Sequence, residues 1–144
     1  EVGIESSSDE VLKNCKRFSI KKEREIDLVK AIEKIGLKVK TMFIYGMPLD
    51  NYKSCLDTFN FSKQINATYS QFSIFTPYPG TPLYDTEYKN KILTKKFEDF
   101  TQWQLVFKHK NLSAENLKNL VKKSYKEYYF RTSWLLKYFK IYRS

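Results

Sequence analysis

The chain reads as an α/β protein, a partial (β/α) barrel followed by a C-terminal helical extension. Three observations predict this. Short apolar runs at Val2–Ile4, Val39–Tyr45 and Tyr69–Phe75 each end in a turn. Helical patterns lie between them, and the connections are long enough for the crossovers that parallel strands require. Such crossovers are right-handed and close into barrels or doubly wound sheets. Three strands do not close a barrel, so partner strands are expected from outside this stretch.

The elements follow in order. After Ile4, Ser6-Ser7-Ser8-Asp9 offers several N-cap oxygens with Glu10 in the first turn, which predicts a short helix from Asp9 to Cys15. Ser19 is expected to open the next helix, whose stripe is Ile26, Val29, Ile32 and Ile35 and whose stop is Gly36. Asp50 or Asn51 caps a third helix running to Ile65. The turn Pro77-Tyr78-Pro79-Gly80-Thr81-Pro82 holds three of the four prolines and ends strand pairing. Residues 85–112 read as an irregular wrap, with His109 exposed between Lys108 and Lys110. Ser113 caps a long helix, Arg131-Thr132-Ser133 breaks it, and Trp134–Tyr142 forms a second basic, aromatic helix. The expected division is 1–84 barrel part, 85–112 wrap and 113–144 helical extension.

The net charge is +10, and eight basic residues against two acidic ones lie between Ser113 and Ser144. A basic end raises the prior for anionic partners. Cys15 and Cys55 stand forty residues apart, outside any Cys-x-x-Cys pair, so they mark neither a metal site nor a disulfide framework. The expected compartment is a reducing cytoplasm. No apolar run approaches the ~20 residues that span a bilayer. The chain starts at Glu1 close to a strand end, which suggests a piece of a longer protein.

Glu5 is the first residue that could carry chemistry. A carboxylate directly after a buried strand can accept hydrogen bonds from an ammonium or a ribose hydroxyl at a barrel mouth, or can simply sit in an acidic helix start. Tyr78 is the residue of the proline-rich loop to test on the substrate side, while Trp103 and Phe107 read as cover for the open sheet end.

Four segments in order carry a resemblance. They are Gly3-Ile4-Glu5-Ser6-Ser7-Ser8-Asp9, Phe43-Ile44-Tyr45-Gly46-Met47-Pro48, Gln71–Tyr84, and Tyr129-Phe130-Arg131-Thr132-Ser133-Trp134. Together they resemble the C-terminal half of the catalytic barrel of radical S-adenosylmethionine (SAM) enzymes, cobalamin-binding type. The resemblance implies the last three strands of a six-stranded barrel. It implies SAM as cofactor, a [4Fe–4S] cluster whose cysteine ligands lie outside this chain, and cobalamin in the parent protein. It also implies that Glu5, Ser7, Arg17, Ile44, Gly46, Phe75 and Thr76 contact SAM or shape its pocket. The chain alone would then lack activity, for want of the missing N-terminal half of the barrel. The substrate would be a small molecule, and the reaction after radical formation could be methylation, ring closure or thioether insertion.

The sequence departs from that family's pattern at Ser7, Phe18, Leu49 and Asp50. Phe18 and Leu49 stand where glycine is usual, so either those turns change shape or SAM affinity is reduced. The competing reading is a non-catalytic module. In it the basic aromatic helices, with Lys137, Lys140 and Arg143 beside Trp134 and Phe139, bind an anionic membrane surface, nucleic acid being the less favoured partner.

Overall fold

The computed structural model describes residues 1–142, with the side chain of Tyr142 excepted; Arg143 of the basic end lies outside the described residues. Three strands, β1 (Val2–Glu5), β2 (Lys40–Tyr45) and β3 (Tyr69–Ile74), form a parallel sheet in sequential order. The β2–β3 pairing is regular from Lys40↔Tyr69 to Tyr45↔Ile74, whereas β1–β2 slips between Gly3 and Glu5. Five α-helices lie among the described residues: α1 (Asp9–Asn14), α2 (Lys22–Lys34), α3 (Tyr52–Ile65), α4 (Ala114–Tyr129) and α5 (Thr132–Tyr142), with a π-helical turn at Tyr84–Tyr88. A 3₁₀ turn at Phe97–Asp99 and a single antiparallel bridge, Ile92↔Phe107, organise the rest of the wrap.

The expected elements form where the sequence carries their signals, and two boundaries move. The third helix is capped by Asn51, whose side chain accepts from Ser54 N–H while the Ser54 hydroxyl accepts from Asn51 N–H. Ser19 does not open α2, because its hydroxyl donates to the Asp9 carboxylate and the helix starts at Lys22 without a side-chain cap. The break before α5 is shorter than expected, since the helix resumes at Thr132.

Strand alternation decides the core. Thr41, Phe43 and Tyr45 pair with Ser70, Phe72 and Ile74, and all six are buried. Phe72 is the centre, with the rings of Phe43, Tyr45, Phe59, Tyr125 and Tyr128 all within 6 Å of its own. Val29 of α2, Phe59 and Ile65 of α3, and Leu117 and Leu120 of α4 complete this cluster. The alternate residues Met42, Ile44, Tyr69 and Gln71 are half-buried on the other side of the strands.

Side chains cover the β3 edge of the sheet. Along the outer edge of β3, the Tyr129 hydroxyl accepts from Ser70 N–H at 2.9 Å and donates to Ser70 C=O at 2.8 Å. Tyr125 accepts from Phe72 N–H at 3.1 Å, and Trp134 Nε1–H donates to Thr68 C=O at 2.9 Å. Side chains thus occupy the groups that another strand would use.

Candidate functional site at the carboxyl ends of the strands

In parallel sheets the carboxyl ends of strands form the natural ligand crevice, because the loops there converge from several crossovers. Here that end holds Glu5, Gly46 and Phe75. Glu5 adopts φ 65°, and Ser6 N–H bonds back to Ile4 C=O at 2.9 Å. A γ-turn of this hand is a strained conformation for a residue with a β-carbon. It coincides with the register slip and directs the carboxylate over Gly3, whose added Cβ would lie 3.7 Å from Glu5 Oε1. Arg17 Nη2 meets the same oxygen at 2.6 Å, with side-chain exposures of 17% for Glu5 and 55% for Arg17. The structure therefore brings together two residues that lie twelve positions apart in sequence.

The other expected site residues serve mixed ends. Ser7 turns toward α3, its N–H donating to Thr58 Oγ1 at 3.0 Å, and Ser8 takes the capping role for α1. Ile44 lies half-buried on the strand side opposite the aromatic core. Gly46 has φ +79°, and a Cβ there would meet Leu117 Cδ1 at 3.0 Å, so the glycine admits α4. Phe75 N–H is committed to Tyr45 C=O at 2.8 Å, and its ring packs on Tyr88 and Phe107. Thr76 is buried and donates to Ile74 C=O. The Tyr78 hydroxyl donates to Phe100 C=O and accepts from Gln102, which ties it to the wrap.

Phe18 and Leu49 do not need the left-handed backbone expected at a glycine site. Among the described residues that conformation falls instead on Glu5, Lys16, Asn66 and Gln102 outside glycine, and Phe18 projects into solvent.

His109 corrects the expectation of an exposed ring. It is 9% exposed, with Nδ1 accepting from Asn111 N–H at 3.0 Å and Nε2–H donating to Met47 C=O at 3.1 Å. That pair of bonds selects the Nε2–H tautomer. Asn111 Nδ2–H also donates to Asp50 C=O at 3.1 Å. Asp50 is buried, accepting from Met47 N–H at 3.0 Å and from the Ser54 hydroxyl at 2.5 Å. Burial raises its carboxyl pKa against the lowering effect of those donors. The turn after β2 is thus held rigidly from the wrap. No periodic pattern announces such bonds, so sequence reasoning missed them.

The cysteines are poor nucleophiles here. Burial pushes the Cys15 thiol up to about 11, aided by Glu5, Asp50 and Glu87, and pushes Cys55 up to about 12, aided by Asp50. Among the described residues no group of three or more His, Cys, Asp and Glu side chains is arranged to hold a metal ion. No described helix is long and apolar enough to cross a membrane.

No protein-family model matches the chain. It is 35% identical over 136 residues to a methyltransferase of Pyrococcus horikoshii named as uncharacterized, PH0819, which covers 94% of this chain and 29% of that protein. It is 28% identical over 122 residues to bacteriochlorophyllide d C-12(1)-methyltransferase of Chlorobaculum tepidum, covering 84% of the chain and 26% of the relative. The C-8(2)-methyltransferase of the same organism is 25% identical over 129 residues, 88% of the chain and 29% of the relative. The chain thus spans less than a third of the length of these curated relatives.

These names correct the sequence reading. The relatives are named for methyl transfer, which replaces the assignment to radical SAM iron–sulfur enzymes, and with it the [4Fe–4S] and cobalamin expectations. They equally replace the reading of a non-catalytic basic module. Lys137, expected to face an anionic surface, instead bonds to the Glu33 carboxylate and Asn66 C=O. What is established is an α/β fold with a three-stranded parallel sheet and likeness over most of the chain to named methyltransferases.

Proposed function

We propose that this chain is part of a SAM-dependent methyltransferase and supplies one wall of the methyl-donor site. The observation that carries the reading is Glu5. A strained residue stands at a strand's carboxyl end, its carboxylate fixed by Arg17, where glycine would be easier on the backbone. The carboxylate suits a ribose hydroxyl or ammonium of the donor, and Arg17, released from the pair, suits a donor carboxylate. Ile44 near the end of β2 and the segment Phe75–Thr76 just after β3 lie at the same carboxyl end of the sheet. Likeness to named methyltransferases supports the reaction class. The methyl acceptor is a small molecule, and the bacteriochlorophyllide d named for two relatives makes a hydrophobic one the first to try.

The rest of the protein is the proposed partner. Tyrosines close the β3 edge, and the sequential strand order favours extension of the sheet past β1 into a larger (β/α) assembly. Low coverage of the relatives supports the same view.

The test is a titration of the isotopically labelled chain with SAM, followed by backbone amide NMR. Shifts concentrated at Glu5, Gly46 and Phe75, weakened in Glu5→Gln, are expected. Unmoved amides at millimolar SAM would overturn the reading.

A further inference from the structure

The cleft below the β2 exit turn holds features that the donor site does not use. It measures 540 Å³ and opens between Asn14 at the end of α1, the Pro48-Leu49 turn and the wrap. Its apolar side is Leu49, 42% exposed, seated over Tyr88 and Phe107, which are buried beneath it with rings edge-to-face at 4.6 Å. Lys91, Lys108 and Lys110 line it against one acidic residue, Glu87. Among the described residues none of these lysines forms an ion pair.

Backbone geometry gathers the three cations. The Ile92↔Phe107 bridge sets Lys91 beside Lys108, and Lys108 N–H donates to Lys91 C=O at 2.8 Å. Phe107 and His109 are buried on one side of the extended segment, so alternation turns Lys108 and Lys110 outward together. His109 holds that register through its bond to Met47 C=O. Three ammonium groups outside any ion pair, that of Lys91 lying 5.5 Å over the Tyr88 ring, beside an exposed leucine match a ligand with an apolar body and a peripheral carboxylate. The volume falls within the range of small-molecule sites.

We propose that this cleft binds an apolar, carboxylate-bearing small molecule, the class of methyl acceptor for the donor site above; the acceptor role rests on that reading, whereas the binding does not.

The probe is 1-pyrenebutyrate, with neutral 1-pyrenebutanol as its uncharged match, titrated by fluorescence into the whole chain. The carboxylate is expected to bind about ten-fold more tightly than the alcohol. Combined Lys91→Gln, Lys108→Gln and Lys110→Gln should remove that advantage while leaving the alcohol's affinity unchanged. Combined Lys118→Gln, Lys122→Gln and Lys123→Gln on α4 should remove nothing. Circular dichroism checks that each variant is folded, as expected for exposed side chains. Equal affinity for the two probes, or an equal loss in the α4 variant, would overturn the proposal. SAM-induced shifts at Glu5 that persist alongside such a result would leave the donor-site reading standing, and their absence alongside selective pyrenebutyrate binding would sink that reading alone.

Discussion

The Tyr129 hydroxyl and the Ser70 peptide exchange two hydrogen bonds, one in each direction, so a side chain from α4 does for β3 what a fourth strand would otherwise do. Tyr125 repeats the device at Phe72. Removing each hydroxyl leaves backbone groups short of a partner, and each Tyr→Phe change should cost ~1 kcal/mol by urea unfolding. The double variant should also self-associate, as judged by sedimentation, because the freed edge accepts another strand. A double variant as stable and as monodisperse as the parent would refute this role.

Glu5 offers a contrast between stability and binding. Its ion pair with a half-exposed Arg17 contributes only ~0–1 kcal/mol, so Glu5→Gln should barely change the unfolding midpoint. Glu5→Gly relieves a left-handed backbone and should stabilise the fold by up to ~1 kcal/mol, while SAM-induced amide shifts disappear. A destabilised Glu5→Gly variant would show that the conformation is not strained.

Two glycines with similar positive φ separate backbone strain from crowding. Gly80→Ala meets nothing within 4 Å and should cost only the left-handed penalty, ~1–2 kcal/mol. Gly46→Ala adds a contact with Leu117 at 3.0 Å and should cost distinctly more in the same unfolding assay. Equal losses would mean that Leu117 moves aside freely.

Glu25 makes stability depend on pH near neutrality. Burial, helped by repulsion from Asp9 and opposed by Lys22, raises its pKa from the ordinary 4.5 to about 7. The folded state therefore holds a proton that the unfolded state has already lost. The associated stabilisation is complete below the unfolded value and disappears as pH rises through about 7. Melting temperature should fall between about pH 5 and about pH 8, and Glu25→Gln should flatten that slope. An unchanged slope in the variant would assign the effect elsewhere.

Local chemistry determined the order of elements in this chain. Ser113 caps α4, Asn51 caps α3, and Gly36 follows α2 at φ +89° because each position's demands are met by its own residue type within a few neighbours. The apolar run Val39–Tyr45 likewise marked β2, since strand preference depends on the residues themselves. Glu5 and Arg17 stood out one by one, yet their 2.6 Å pairing depends on how α1 returns the chain over β1. Burial of His109, the tyrosine edge of β3 and the lysine cleft all join residues that are distant in sequence. Such long-range bonds leave no periodic trace, and only the packing of the wrap and α4 onto the sheet decided them.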